Sequence, residues 1–285
     1  MLLNIGLVLS GGMAKGAYQV GALAAISEFI PRSEIGCISC ASVGVLNGYA
    51  YAVGKLERAF EIWHGLCSEK EKMLISQVLR SNILGDTVKV LYDKDNTPES
   101  TFYTTLLDMA NCSVAYKNLA SVKKKMIPGY LMASVAMPIY NRAIRIDSIP
   151  YFDGAMVDNI PVYPLVRHKP DYTICIYFDD TSYRFENAYF DNRVIKITFP
   201  SDSVIRESVV FTKDSIDKMM TVGYERTRHI LRSVLYDGYN DLDAVYKAIE
   251  LQNGGTPQSF RITGDVLVTN INKVVQKFAS RRIII

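Results

Sequence analysis

The sequence predicts an α/β fold in which helices cover a parallel or mostly parallel sheet, and three observations carry that reading. Residues 4–9 (NIGLVL) form a short, nearly continuous apolar run, the pattern of a strand buried on both faces. Residues 35–39 (IGCIS) form a second such run. Each run leads through a turn into a segment with helical spacing. Two strand-helix units therefore fill about the first 55 residues, and sequential units of this kind imply parallel strands.

The first helix opens at Gly16, spaces Val20, Leu23, Ile26 and Ile30 three or four residues apart, and stops at Pro31. From Val43 a second helix places Leu46, Tyr49 and Val53 on one face, with Ser42 in the turn before it. Residues 66–126 change character: charged stretches (SEKEK, DKDN, KKK) alternate with MLISQVL and TTLLDMA, which read as short apolar helices. That interval is expected to be a helical cap inserted into a core of residues 4–65 and 127–250. Strand-like segments return at GYLMASVA, DYTICIYF and RVIKITF, and helices are expected over roughly residues 204–250. Past Gly254 no pattern is assignable. Repeats, low-complexity tracts and Pro/Gly-rich linkers are absent, so 1–285 reads as one domain with an insertion.

Composition narrows the function classes. At 49% hydrophobic and 21% charged the chain is unlike a disordered protein. A net charge of +3, from 32 basic and 29 acidic residues, is too small for a nucleic-acid footprint and leaves only a faint attraction to anionic membrane surfaces. The opening MLLNIGLVLSGG lacks the basic region of a signal peptide and reads as a strand. With no apolar run of 18 residues, lipid contact is expected to be peripheral. Five scattered cysteines (Cys37, Cys40, Cys67, Cys112, Cys175), with no CxxC pair and no histidine at zinc spacing, offer no zinc pattern and point to a reducing, cytoplasmic setting.

Two turns carry chemistry. Ser10-Gly11-Gly12-Met13-Ala14-Lys15-Gly16 follows a buried strand and opens a helix, so its backbone N–H groups can hold an anion, either a phosphate or a developing oxyanion. The phosphate-loop spacing fails, because Lys15 precedes Gly16 and Ala17 follows it; G-x-G-x-x-G fails too. A plain tight turn is the bland alternative. The second turn, Cys40-Ala41-Ser42-Val43-Gly44, is a G-x-S-x-G nucleophile elbow with its first glycine replaced.

A serine hydroxyl needs a base. Among three histidines (His64, His168, His229), a triad of Ser42, Asp179 or Asp180, and His229 follows the α/β-hydrolase order. An elbow at residue 42 leaves room for one earlier strand, where that fold needs several. The stronger partner is Asp153 in Y-F-D-G-A-M-V-D-N-I-P-V, where an aspartate followed by glycine presents its carboxylate at a turn. Asp237-Gly238 reads as a simple turn.

These residues resemble the patatin-like phospholipases, lipid acyl hydrolases with a Ser-Asp dyad. The family's glycine-rich loop is similar to Gly11 to Gly16, continued by Ala17-Tyr18-Gln19-Val20-Gly21; its elbow to Cys40 to Gly44, continued by Val45-Leu46-Asn47; and its D-G-[GA] motif to Asp153-Gly154-Ala155, continued by Asp158-Asn159-Ile160-Pro161. The segment Ala133 to Pro138 also resembles the one preceding the family's aspartate.

The resemblance spans roughly residues 4–165. It implies a three-layer α/β/α sandwich, Ser42 as nucleophile, Asp153 as base, and the N–H groups of Gly11, Gly12 and Met13 as oxyanion donors, with no metal or cofactor. The implied substrate is a lipid ester, phospholipid foremost. Met13 and Cys40 stand where the family has glycines, and at a positive-φ position a methionine costs about 1–2 kcal/mol. Lys15 is expected either in solvent or at a lipid headgroup, and Lys123 to Lys125 on a solvated surface. An acyltransferase with the same dyad, a weakly active or non-catalytic lipid-binding homologue, and a nucleotide-binding protein are the rival readings.

Overall fold

The computed structural model describes residues 3–67, 72–138, 140–179, 182–199, 210–255 and 257–261. Strand β1 (Ile5–Leu9) passes through the glycine loop into α1 (Gly16–Phe29), and β2 (Ile35–Cys40) passes through the elbow into α2 (Val43–Ala52). Then come α3 (Leu56–His64), the short β3 (Met73–Leu74), α4 (Ile75–Arg80) and α5 (Ile83–Leu91). The chain re-enters the sheet with β4 (Thr101–Asp108) and β5 (Ser113–Asn118), and continues through α6 (Ile127–Ala133), β6 (Ile144–Ile146) and β7 (Ile149–Asp153). Next are α7 (Tyr163–Val166), β8 (Tyr172–Tyr177), β9 (Ser182–Phe185), α8 (Ala188–Asp191) and β10 (Val194–Thr198). The last described elements are β11 (Val210–Phe211), α9 (Lys213–Val234), α10 (Leu242–Gly254) and β12 (Gln258–Arg261).

The central sheet runs β10-β8-β1-β2-β4-β7-β6, with β5 also paired to β4. Its first five strands are parallel, and β5, β6 and β7 are antiparallel additions. Both faces are buried. Ile5, Leu7 and Leu9 of β1 join the core under α1 and α2, whereas Val8 joins a second core with Val162 and Leu165. Period-2 geometry sends neighbours to opposite faces, so a strand buried on both reads as a solid apolar run. Helices α1 and α9 cross at two glycines: a Cβ on Gly21 would lie 1.9 Å from the Met220 carbonyl oxygen, and one on Gly223 would lie 2.1 Å from that of Tyr18.

Three sequence expectations need correction. TTLLDMA is mostly strand β4, not helix, and GYLMASVA lies mostly in helix α6, not strand. Short apolar runs are too brief to show a period that separates the two states. Pro128 in the first turn of α6 was the available signal, since proline's fixed φ suits a helix start. Residues 66–126 are therefore not a wholly helical cap, because β4 and β5 belong to the central sheet and the helical part is α4 and α5. Helices α9 and α10 occupy the region expected to be helical; residues 204–209 lie outside the described set. Gly238, at φ 104, makes the expected turn.

Candidate active site

The sheet topology brings Ser42 and Asp153 together. β2 runs along the first half of β4, pairing Cys40 with Thr104, while β7 approaches along the second half from the opposite direction, pairing Asp153 with Leu106. The two strands end head to head on one edge of β4, flanking Thr105. Contact there is close: a Cβ on Gly154 would lie 2.5 Å from the Thr105 carbonyl carbon and the Leu106 nitrogen, so no other residue lets the chain turn at that point.

The elbow is built as its motif demands. Ser42 sits at φ 53, in the left-handed region that β-carbon-bearing residues avoid. The Ala41 N–H donates to the Leu9 carbonyl at 3.0 Å, fastening the turn to the end of β1. A Cβ on Gly44 would stand 2.7 Å from the Leu9 and Ser10 carbonyl oxygens, so the helix reaches this position only with glycine there. Cys40 is fully buried, and its Sγ lies 2.6 Å from where a Cβ on Gly48 would be. The room a first glycine would have left is filled by sulfur, and Gly48 on α2 supplies the space. Burial raises the Cys40 thiol well above its usual range.

Asp153 closes β7 and is 3% exposed. Burial pushes its carboxyl up to about 7, against the opposing effect of hydrogen bonds from the Ser42 hydroxyl and the Ala155 N–H, the latter at 2.9 Å. A carboxylate titrating near neutrality and hydrogen-bonded to a serine is matched to the work of a general base. The histidines do not compete. His64 pairs with Asp217 at 2.8 Å, His168 meets the Tyr103 hydroxyl at 2.9 Å, and His229 is exposed on α9.

The glycine loop lies beside the dyad. A Cβ on Gly11 would come within 2.9 Å of the Ser42 Cβ and 3.0 Å of the Ala155 Cβ. Met13 has φ 50, the left-handed conformation anticipated for a position where glycine is usual. Gly11 departs from the expected donor set, because its N–H donates to the Asn159 carbonyl at 3.2 Å. The N–H groups of Gly12 and Met13 have no acceptor among the described residues. Lys15 is 3% exposed, hence not a solvated lysine.

Around Ser42, Met13 and Asp153 opens a pocket of about 720 Å³, its mouth included. Ile62 and Trp63 line it from α3, Val78 and Leu79 from α4, and Leu84 and Leu91 from α5. Almost all of its wall is hydrocarbon, and polar groups other than the dyad are few. One is Asn47, buried on α2, which donates to the Gly16 carbonyl at 2.9 Å and to Gln19 Oε1 at 3.0 Å, while the Trp63 indole N–H donates to its Oδ1 at 3.0 Å. Gln19 in turn donates to the Ser10 carbonyl at 2.7 Å. The network fixes the glycine loop, the elbow helix and the pocket wall relative to one another. Sequence reasoning missed the roles of Asn47, Gln19 and Trp63; a lone amide in the apolar helix VGVLNGYAYA was the available sign, since a buried amide requires partners.

Comparison with known proteins gives three findings. A search of curated proteins returns no match. Among solved structures, the chain is similar to the crystal structure of VipD from Legionella pneumophila, with a TM-score of 0.48 and 12% identity over 82% of this chain and 67% of that one. It is similar to type III effector protein ExoU at a TM-score of 0.48 and 12% identity, over 90% of this chain and 60% of that one, so both neighbours are longer. The sequence profile described as Patatin-like phospholipase matches residues 7–166, which span the glycine loop, the elbow and the Asp153 turn. With more than half of its length matched, the chain belongs to the patatin-like phospholipase family, a family of lipid hydrolases.

Proposed function

We propose that this chain hydrolyses carboxylic esters of lipids, phospholipids foremost, through an acyl-enzyme on Ser42 with Asp153 as base. The observation that carries the reading is the Ser42 hydroxyl, hydrogen-bonded to a buried carboxylate at the wall of an apolar pocket. Asp153 takes the hydroxyl proton as Oγ attacks the ester carbonyl, and the N–H groups of Gly12 and Met13 stabilise the tetrahedral oxyanion. The protonated carboxyl then returns its proton to the departing alcohol or lysolipid. Water, deprotonated by the same carboxylate, attacks the acyl-enzyme and releases a fatty acid.

The acyl chain occupies the pocket walled by α3, α4 and α5, with the last two helices acting as the cap over Ser42. No helix among the described residues is long and apolar enough to cross a membrane, and the enzyme meets its substrate at the surface of a bilayer or micelle. The five cysteines, all among the described residues, form no disulfide, which suits a reducing compartment such as the cytoplasm.

The test incubates wild type, Ser42→Ala and Asp153→Asn with mixed phospholipids and with short acyl esters, following free fatty acid and any acyl-transfer product. Both variants are expected to lose roughly 10³-fold or more of the turnover. Equal release by wild type and Ser42→Ala would sink the mechanism, and acyl product exceeding free acid would make the chain a transferase.

A further inference from the structure

Arg261 lies on β12, beyond the last residue that the family profile matches. Among the described residues β12 pairs with β9 alone, in parallel register from Gln258 opposite Ser182 to Arg261 opposite Phe185. From there the guanidinium reaches back toward the active site. Its Nη2 donates to Asp158 Oδ1 at 3.3 Å and its Nη1 donates to the Ile160 carbonyl at 3.1 Å.

The Asp158 side chain is fully buried and that of Arg261 is 14% exposed. Asp158 also accepts from the Tyr116 hydroxyl at 2.7 Å and from the Ile160 N–H. The peptide units on both sides of Ile160, the first of them shared with Asn159, are thereby held. Asn159 in turn holds the glycine loop twice, accepting from the Gly11 N–H at 3.2 Å and donating its side-chain N–H to the Gly11 carbonyl at 3.3 Å. Gly12 and Met13, the next residues, carry the N–H groups assigned above to the oxyanion.

We infer that Arg261 is a positioning residue: by neutralising buried Asp158 and gripping Ile160, it fixes Asn159, and through Asn159 the backbone donors beside Ser42. The catalytic role given to those donors rests on the proposed hydrolysis, whereas the clamp itself does not. A buried carboxylate stripped of its cation is strongly disfavoured, so losing Arg261 forces Asp158 to take up a proton or move toward water, and the Asn159 turn moves with it. Among the described residues, the strand that carries Arg261 is tethered along one edge. Turnover thus depends on whether β12 is in place.

The test uses the full chain with Arg261→Met, Arg261→Lys, and Arg261→Met combined with Asp158→Asn; Arg184→Met, on the neighbouring strand, is the control. Arg261→Met is expected to lower kcat on a short acyl ester by roughly tenfold to a hundredfold, with KM changed less than about twofold, because donors are misplaced while the pocket is kept. Amide hydrogen exchange in residues 9–16 is expected to speed up in the same variant. Arg261→Lys restores part of both, and so does adding Asp158→Asn, which removes the stranded charge. Unchanged exchange in residues 9–16 with Arg261→Met overturns the clamp, as does a loss of kcat that neither Arg261→Lys nor the added Asp158→Asn relieves. If wild type shows no Ser42-dependent turnover, the hydrolase reading falls, and the exchange measurement still decides the clamp.

Discussion

The turns after β1 and β2 each place one residue other than glycine in the left-handed region, Met13 at φ 50 and Ser42 at φ 53, but they hold that strain differently. At the elbow the restraint is steric. Gly44 lies so close to the Leu9 and Ser10 carbonyls that helix, strand and nucleophile form one packed unit. At the glycine loop close packing of Gly11 on Ser42 and Ala155 is joined by polar ties: Asn159 grips Gly11 from another part of the chain, and Gln19 holds Ser10. A nucleophile needs one fixed direction, whereas donors to a transient oxyanion can be set from a distance.

The largest effect is expected from filling the elbow. Gly44→Ala drives a methyl group onto two carbonyl oxygens, and should cost about 3 kcal/mol in denaturant unfolding and abolish turnover, because the turn must open. Retention of more than a tenth of the activity would show that the elbow yields as the loop does.

Next in size is the response to pH. Because the Asp153 carboxyl titrates at about 7, kcat/KM should fall about tenfold per unit below that pH. Stability runs the other way. The folded state holds this proton more tightly than the unfolded chain, whose carboxyl sits near 3.8, so the contribution is complete below about pH 4 and lost as pH rises through about 7. Asp153→Asn should therefore melt higher than wild type at pH 8, by up to roughly 4 kcal/mol, with the advantage vanishing toward pH 4. A pH-independent difference would mean that the carboxyl is not raised.

Smaller effects probe the two departures from the family's glycines. Cys40→Gly should destabilise by about 1–2 kcal/mol, since it empties the space against Gly48 and loosens β2. A more stable variant would show instead that the cysteine strains the elbow. Met13→Gly relieves about 1–2 kcal/mol of backbone strain but adds roughly 0.5–1 kcal/mol of chain entropy to the unfolded state. The expected net gain is at most about 1.5 kcal/mol, a rise in melting temperature of roughly 3 °C or less. A loss would show that the methionine side chain's packing in the pocket outweighs its φ.

What was legible in the sequence follows from how local each feature is. Ser42 was readable because elbow, glycine and helix start fall within five residues, and Asp153 because its turn is spelled by the glycine after it. The glycine loop was readable as a turn, but the capture of the Gly11 N–H by Asn159 was not, because a backbone carbonyl leaves no mark in a distant motif. β4 escaped detection because residues of like type stand side by side in it, Thr104 with Thr105 and Leu106 with Leu107, which hides its alternation, and α6 because its eight-residue apolar run lacks length. Arg261 reads as one more basic residue until the fold sets it beside Asp158.

The head-to-head meeting of β2 and β7 makes β4 a molecular ruler. The gap between nucleophile and base is measured in residues of a strand that contributes neither, from Thr104 to Leu106. One residue inserted there would lengthen the span by about 3.3 Å, more than a hydrogen bond tolerates. Loops at the pocket mouth are free to vary in length, whereas β4 is not.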